Sequence, residues 1–468
     1  MPQAAPQLDQ ATLDLETLTA DVVALAMKAG ASDAEAAVRE GDEFSVNVRM
    51  GEVETLKESG SRGLGLRVFL GTRSASTSTS DLTADGIRQL VEGAIALAKV
   101  TEEDPFAGLP ETAEFGSCIS DKGDLHLYYE DVYSLDGKER IEWARRAEAA
   151  ALAADPRITN SDGGSFDAAT GRKVIANSRG FVGGYRTSYA GVSAAPLAMD
   201  ANGQMQRDGW WTGARRLVDL ESPESVGKEA ARRTIRRLGA RKVPTQRVPI
   251  VFAPEVARSL IGSVFEAASG DSIWRHASFL AGKLGEQIAV PTLTIVDDNA
   301  MLLPTGAGGF GSSPFDGEGL PSLRTVVVQN GVLQTYLLNT YSARKLGMKS
   351  THNASRGLAG TPGIGCGNLY LEAGQLTPEE IIAQTHTGLY VTSLMGFGTN
   401  IVTGDYSRGA TGLWIENGQL THAVEEVTIA GNLAEMLMNV TAIGNDLVFR
   451  GSVASPTLRI DGMTIAGA

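Results

Sequence analysis

The sequence contains 468 residues, of which 43% are hydrophobic and 21% are charged, as is ordinary for a globular protein. This length allows two or three domains and a sizeable core. The formal net charge of −14 argues against a nucleic-acid partner, because phosphate binding needs clustered lysines and arginines. One basic stretch runs from Arg232 to Lys242, and we interpret it as the solvated face of a helix.

The cysteines and the hydropathy pattern indicate the compartment. The two cysteines, Cys118 and Cys366, lie far apart in the sequence, which favours a reducing environment without a disulfide framework. The N-terminus is acidic rather than basic, and no apolar run approaches the roughly 20 residues that a membrane span needs. We therefore expect a cytoplasmic protein.

The N-terminal half alternates between helical and strand periodicity. Residues 1–10 are expected to be disordered, and a helix is predicted over Leu13–Ala29. Three or four antiparallel strands follow between Phe44 and Ser80, and a helix spans Thr83–Val100. We interpret these elements as a self-sufficient α+β layer.

A second group of elements follows the loop-like residues from Glu102 to Asp124. A helix is predicted from about Leu135 to Ala154, because Asp155-Pro156 ends it. Strand-like sequence then runs from Arg157 to Trp211, and a helix spans Pro223–Leu238.

The C-terminal half opens with the apolar strand Val248–Phe252 and a helix that begins at Pro254 and ends near Gly270. The rest is largely β-structure. Asn-Gly or Asp-Gly turns, which allow positive φ, predict three hairpins, over Val326–Leu333, Leu413–Leu420 and Arg459–Thr464. Short helices are predicted over Ser342–Leu346, Pro378–Thr385 and Leu433–Met438.

This order of elements predicts an α+β protein with two domains. The N-terminal α+β domain, which contains an antiparallel sheet, covers residues 11–243 with sub-parts 11–124 and 125–243. The larger, β-rich C-terminal domain covers residues 244–468. The boundary is placed at the turn-forming residues Gly239–Pro244.

Two familiar kinds of site are disfavoured by local sequence. Gly306–Gly311 matches the dinucleotide pattern G-x-G-x-x-G, but the Ser-Ser-Pro that follows cannot open the helix that such a site requires. No two of the five histidines lie within one helical turn of each other. Scattered single histidines are usually surface or core residues, so a metal site built by this chain is not expected.

Two segments concentrate charge, aromatic rings and glycine where the strand pattern lapses, Ser313–Gly319 and Asp405–Gly409. They are interpreted as loops that hold a peptide or a partner, or alternatively as structural turns. In the second case Asp316 or Asp405 caps local N–H groups and Arg408 pairs with a carboxylate. The candidate contact residues, with two that flank the predicted helix, are Phe315, Asp316, Glu318, Asp405, Tyr406, Arg408, Glu266 and Arg275.

The same segments, together with two others, carry a resemblance to a known family. The matching segments, in family order, are Gly270–Arg275, Ser313–Gly319, Gly404–Ala410 and Ile429–Leu433. The chain resembles the TldD/PmbA family, on its PmbA branch, which is also called TldE. The resemblance is specific in the C-terminal half and looser in the N-terminal half.

Catalytic members of that family carry His-Glu-x-x-x-His on the helix after Pro254 and a zinc-ligating cysteine near the C-terminus. Aligned without gaps, the motif falls on residues 261–266, where Ile261 and Gly262 replace the first two residues and Glu266 replaces the last histidine. No cysteine lies between Arg450 and Pro456, where the family cysteine should fall. Zinc needs imidazole, thiolate or carboxylate donors, so the resemblance implies a chain with the fold but without the metal.

The resemblance further implies a subunit of a dimeric zinc metalloprotease that acts on short or unfolded peptides. A TldD-type partner would hold the zinc and the catalytic residues, whereas this chain would complete an enclosed chamber. A homodimer is the other possible assembly. Two alternative functions stay open: an autonomous peptidase around Glu266 and His276, and a peptide-binding or chaperone-like homodimer without hydrolysis.

Overall fold

A computed structural model describes residues 14–115 and 124–467 of the chain. The expectations for residues 1–10 and for Cys118 fall outside the described residues. Among the helices that are described, none combines the length and the apolar character of a transmembrane span. The mixed fold, with helices and mainly antiparallel sheets, confirms the predicted α+β class.

The N-terminal half forms one antiparallel sheet covered by helices. Its strands are β1 (Asp33–Arg49), β2 (Glu52–Leu70), β3 (Arg73–Thr79), β4 (Ile158–Asn177), β5 (Val182–Met199), β6 (Met205–Arg207) and β7 (Trp210–Ala214). Its helices are α1 (Leu15–Lys28), α2 (Ala84–Ala98), α3 (Gly137–Ala154) and α4 (Pro223–Ile235). The strand order is β3-β2-β1-β4-β5-β6, and β7 also pairs with β5.

This sheet corrects the prediction of a self-sufficient layer before Val100. Strand β1 pairs with β2 on one side and with β4 on the other, from Glu35 opposite Asn177 to Val48 opposite Gly164. The first three strands therefore share one continuous sheet with the second group of elements. Without β4, the backbone N–H and C=O groups along that edge of β1 would lack hydrogen-bond partners.

The two faces of the sheet have different neighbours, because successive side chains of a strand point to opposite faces. On β1, the apolar residues Ala34 and Val38 pack against α1 and α2, and Val46 packs in the cluster that includes α3 and α4. The opposite face carries Glu35, Ala37 and Arg39. Ala37 contributes to a separate cluster with Phe315 from the C-terminal half, so this face supports the C-terminal loops.

The C-terminal half contains two larger sheets around one helix. Its strands are β8 (Gln246–Phe252), β9 (Ile295–Asp298), β10 (Arg324–Gln329), β11 (Val332–Leu333), β12 (Ala354–Ser355), β13 (Gly363–Ile364), β14 (Asn368–Leu371), β15 (Thr387–Met395), β16 (Asp405–Glu416), β17 (Gln419–Asn432), β18 (Val440–Ile443), β19 (Val453–Ala454) and β20 (Leu458–Ala466). Its helices are α5 (Pro254–Ala268), α6 (Gly270–Trp274), α7 (Thr340–Leu346), α8 (Pro378–Ala383) and α9 (Leu433–Met438).

The six-stranded sheet has the order β17-β16-β15-β8-β20-β18, and β17 also pairs with β20. Five of these strands therefore form a closed ring. The five-stranded sheet has the order β11-β10-β9-β14-β19. Helix α5 contributes Leu260, Ile261 and Val264 to the large core that it shares with both sheets.

Two of the three predicted hairpins are confirmed. Asn330-Gly331 and Asn417-Gly418 connect paired strands and have positive φ at both residues, as the turn requires. The prediction over Arg459–Thr464 is wrong, because these residues lie within the single strand β20. Strand β8 pairs with β20 on both sides of Asp461-Gly462, so the positive φ of Gly462 accommodates a bulge and not a reversal.

Arginine side chains join the two halves. The guanidinium group of Arg215, which follows β7, donates to the carbonyl oxygens of Gly308 at 2.8 Å and Gly309 at 2.6 Å. Arg344 of α7 donates in the other direction, to the carbonyl oxygen of Leu109 at 2.7 Å. These bonds satisfy loop carbonyl groups that lie outside any sheet, so they fix the loops of one half against the other.

A buried charge triad lies at the same interface. Glu35 of β1 is 0% exposed. Its carboxylate lies 2.5 Å from Nε of Arg67, the residue directly opposite on β2, and 2.8 Å from Nη1 of Arg356 in the C-terminal half. Burial lowers the pKa of Arg356. One carboxylate thus pairs with cations from two elements that are far apart in the sequence.

Replacing Glu35 by glutamine tests the contribution of the triad. We expect E35Q to lower the free energy of unfolding by about 3 to 5 kcal/mol, because two buried guanidinium groups lose their counter-charge. Urea denaturation followed by circular dichroism measures this change.

The matched control is E40Q on the same strand. Glu40 pairs at 2.7 Å with Arg62, but both side chains are partly exposed. Exposed pairs contribute at most about 1 kcal/mol, so E40Q should remain close to the wild type. Equal losses in the two variants would contradict a special contribution from the buried triad.

Candidate functional site

Helix α5 carries the positions at which the family motif would lie. Pro254 begins the helix directly after the buried strand β8. Ile261 is 1% exposed and belongs to the core, Gly262 has no side chain, and Glu266 is exposed. These positions therefore offer one solvent-facing carboxylate and no other donor, which does not fit a zinc site. In the described part of the chain, no group of three or more His, Cys, Asp or Glu side chains could hold a metal ion.

The segment that would carry the family cysteine lies beside α5. It includes Arg450, whose Nη1 donates to the carbonyl oxygen of Trp211 at 2.8 Å and whose Nη2 pairs with Glu221 at 3.2 Å. An ideal Cβ on Gly451 would lie 3.6 Å from Nη1 of Arg258 on α5. Arginine side chains therefore occupy the region where a metal-binding thiolate would be needed.

A cavity of about 270 Å³ lies in this region and is strongly basic. Its lining includes Arg232, Arg233, Arg236, Arg258 and Arg450. These cations outnumber the three carboxylates in the same lining, so the local charge disfavours a bound divalent cation.

This cavity also corrects the interpretation of the basic stretch as a solvated helix face. Arg233 is 7% exposed, lies over the ring of Trp210 and pairs with Glu255 at 3.2 Å. Burial lowers the pKa of Arg236. Only part of the stretch, including the exposed Arg232, faces solvent, because α4 packs its other side against β5, β7 and the start of α5.

The loop Ser313–Gly319 passes under the N-terminal sheet. Phe315 is 0% exposed and makes edge contacts with the rings of Phe181 and Tyr185. Asp316 is 6% exposed, and its carboxylate accepts from the backbone N–H groups of Glu318 and Leu320, both at 2.9 Å, and of Ala354 at 3.1 Å. Asp316 thus caps local N–H groups, as the structural alternative proposed.

Glu318 is also buried, with an exposed fraction of 2%. It accepts from the backbone N–H of Thr340 at 3.0 Å and from its hydroxyl group at 2.6 Å, and so anchors the start of α7. Burial raises the pKa of Glu318, and the nearby carboxylate of Asp316 raises it further. Burial likewise raises the pKa of Asp316. The two carboxyl groups therefore cost free energy when both are charged.

The segment Asp405–Gly409 is not a loop, which corrects the prediction. It forms the first residues of β16 and pairs with Thr428–Asn432 of β17. Asp405 is exposed and accepts from the hydroxyl group of Thr403 at 2.7 Å, whereas Tyr406 is 2% exposed. Burial raises the pKa of Tyr406 to about 12. Among the described residues, Arg408 has no carboxylate within ion-pair distance, so the predicted pairing of Arg408 is not observed.

The two flanking candidates lie on the surface. Glu266 is exposed in the last turn of α5, and Arg275 is exposed directly after α6, where its guanidinium group stacks on Trp274. The structure therefore separates the predicted residues into a buried group, Phe315, Asp316, Glu318 and Tyr406, and an accessible group. Peptide contact by any of them stays a prediction.

A second cavity, of about 440 Å³, contains side chains that the sequence did not single out. It lies between the N-terminal sheet and the loop Ser313–Gly319. Arg39 of β1, Lys173 of β4 and Tyr185 of β5 line it, as do Arg215 and Asp316. Strand pairing brings Arg39, Lys173 and Tyr185 together, whereas Arg215 and Asp316 reach the cavity from loops that pack against the sheet. The alternation of apolar and polar residues could have indicated which face of a strand each side chain occupies. It could not have indicated which residues of other strands lie beside it.

Three consecutive family models match the chain. They describe PmbA/TldA metallopeptidase domain 1 over residues 34–98, the central domain over residues 130–238 and the C-terminal domain over residues 245–467. The fold and these matches define the chain as a member of a metallopeptidase family.

Similarity to individual proteins identifies the branch. The metalloprotease PmbA of Escherichia coli O157:H7 is 41% identical over 445 residues, which cover 95% of this chain and 94% of the relative. The PmbA homologue of Haemophilus influenzae is 38% identical over 457 residues, covering 97% and 96% of the two chains. The chain therefore belongs to the PmbA/TldD family of metalloproteases, on its PmbA branch.

Solved structures support the fold. A crystal structure from Bacteroides thetaiotaomicron matches with a TM-score of 0.89 at 27% identity, covering 98% of this chain and 100% of that chain. TldE from Thermococcus kodakarensis matches with a TM-score of 0.84 at 21% identity, covering 96% of this chain and 100% of that chain. At the lower identity the likeness concerns the fold alone.

Replacing Glu318 by glutamine tests the buried carboxylates. The folded-state pKa of Glu318 is raised from 4.5 to about 7, so the folded chain binds more protons than the unfolded chain in that window. The free energy of unfolding of the wild type is therefore expected to fall as the pH rises from about 4.5 to about 7. E318Q keeps an oxygen for Thr340 but loses this titration, so its free energy of unfolding should fall less. Denaturation midpoints at several pH values measure both slopes, and an identical slope in E318Q would refute the assignment.

Proposed function

We propose that this chain is the non-catalytic subunit of a PmbA/TldD-type zinc metalloprotease that acts on short or unfolded peptides in the cytoplasm. The proposal rests on the residues that occupy the motif positions. The helix is retained and well packed, but Ile261 lies in the core, Gly262 offers no donor, and arginines surround the position of the missing cysteine. The zinc and its catalytic residues then belong to a TldD-type partner.

The retained scaffold explains how a chain without the metal contributes. The closed ring of five strands and the hydrogen bonds between the two halves make rigid walls. Such walls would exclude folded proteins from a chamber shared with the partner. A homodimer of this chain is the competing assembly, and it would enclose no metal. The relatives named metalloprotease PmbA support the family activity, whereas the division of labour between two chains is our inference.

An exposed apolar loop supports association with a partner. Between β15 and β16 the side chain of Phe397 is 101% exposed, and Met395 and Val402 are 54% and 52% exposed. Such a cluster costs free energy in water and commonly marks an interface. This exposure supports the proposal that the loop contacts the second subunit.

Metal analysis of separately purified subunits tests the division of labour. We expect this chain to bind no stoichiometric zinc and to show no peptidase activity alone. Activity should appear when a partner with His-Glu-x-x-x-His is added, because that partner supplies the ligands and the base. Zinc near one equivalent together with activity of the isolated chain would contradict the proposal, and loss of that activity in E266Q or H276A would favour an autonomous site. Peptides that stay intact with the partner present would favour the chaperone-like function.

Replacing Phe397 by serine tests the interface. We expect F397S to weaken association with the second subunit by roughly tenfold or more, since truncating a central aromatic anchor commonly costs about 2 kcal/mol. The folded chain should be unaffected, because the side chain contacts solvent. V100S is the matched control, because Val100 is 80% exposed and lies in the N-terminal half. Sedimentation velocity with each variant measures the effect, and unchanged association of F397S would exclude this loop.

A further inference from the structure

Three side chains form a row across the sheet on the face that supports the C-terminal loops. In the register of the strands, Lys173 of β4 lies directly opposite Arg39 of β1 on one side and Tyr185 of β5 on the other. Directly opposite residues of antiparallel strands place their side chains on the same face, with Cβ atoms about 5 Å apart. Two cations are therefore direct neighbours, an arrangement that destabilises a sheet unless an anion compensates it.

The described residues supply that anion only in part, because the carboxylate of Asp316 attracts Lys173 without an ion-pair contact. Lys173 has no hydrogen bond and no ion pair with any of them. Arg39 donates to the backbone carbonyl oxygen of Arg356 and has no carboxylate partner among them. Burial, and next the charge of Arg39, lowers the pKa of Lys173 to about 8. The fold thus holds a cation where it is unfavourable.

The other charged groups at the cavity do not cancel this excess of positive charge. Arg215 is 5% exposed and donates only to backbone carbonyl oxygens within the described part of the chain. Arg356 shares the carboxylate of Glu35 with Arg67, so this group adds no net negative charge. Asp316 is the acidic residue in the lining, but its oxygens already accept three backbone N–H groups. Besides Arg356, the cavity is therefore lined by three cations, Arg39, Lys173 and Arg215, and by a single carboxylate, that of Asp316.

We propose that this cavity is a binding site for a small anionic ligand whose oxyanion, a carboxylate or a phosphate, lies between Lys173 and Arg39. The volume of about 440 Å³ is within the range of small-molecule sites. The hydroxyl group of Tyr185 has no hydrogen-bond partner among the described residues and is available as a further donor. The rings of Tyr189 and Phe310, which contact each other, add apolar wall.

The site is separate from the positions of the family motif. The second cavity takes its lining from β1, β4, β5 and the loops around Asp316 and His352, and it shares no lining residue with the basic cavity beside α5. Binding at this site does not depend on the second subunit. It can therefore be measured on the isolated full chain, whatever the outcome for the proposed protease function.

Isothermal titration calorimetry of the full chain tests the proposal. Inorganic phosphate and succinate are the probes, and a chloride salt keeps the ionic strength constant. We expect saturable binding of at least one probe at one site per chain, and the stronger probe distinguishes phosphate from carboxylate ligands. K173M should weaken binding by about tenfold or more, because charged hydrogen bonds contribute about 1.5 to 3 kcal/mol. Y185F should weaken it less, because it removes one neutral donor.

The neighbouring residue supplies a matched control. Arg172 precedes Lys173 on β4 and lines a different cavity, on the other face of the sheet. R172M removes the same charge and should bind the probe like the wild type. K173M relieves a cation that is compensated only in part, so its melting temperature in chloride should equal or exceed that of the wild type, which confirms folding. Equal affinity of K173M and the wild type, equal weakening by R172M, or no saturable binding of either probe would overturn the proposal.

Discussion

The buried triad of Arg67, Glu35 and Arg356 is the interaction on which the arrangement of the two halves depends. A single carboxylate at the start of β1 pairs with one guanidinium group from the adjacent strand and with another from the C-terminal half. Loss of one member of a buried charge group leaves an uncompensated charge, which is strongly unfavourable. The triad therefore fixes the orientation of the C-terminal loops over the N-terminal sheet more specifically than apolar contact could. The loop Ser313–Gly319 and the cavity between it and the sheet lie on the same face of the sheet as the triad.

Helix α5 keeps its place in the family fold although its motif positions carry no histidine, and its packing indicates why. Helix α5 is stabilised by apolar residues such as Leu260, Ile261 and Val264, which pack between the sheets. The first motif position, Ile261, is itself part of this core, so the residue that stands there contributes to the stability of the helix. Arginines line the cavity beside the helix, and their charge disfavours a divalent cation there.

Sequence reasoning was most reliable where a local pattern had a local cause. The helices begin and end within a few residues of their predicted limits, because capping residues and apolar spacing act over one or two turns. The two Asn-Gly hairpins were predicted correctly for the same reason, because the turn depends on the residues within it. Asp461-Gly462 shows the limit of such reasoning, because a neighbouring strand provided a continuous ladder and converted a turn sequence into a bulge.

The sequence by itself determined the α+β class, the family and the absence of histidine at the motif positions, since each of these depends on which residue stands at which position along the chain. Only the tertiary structure decided that Asp316 and Glu318 are buried anchors, that Asp405–Gly409 is a strand, and that Arg39 and Lys173 are neighbours. These outcomes depend on which strands pair and which loops cover them. Burial and charge proximity are properties of contacts between distant segments, and no local pattern encodes them.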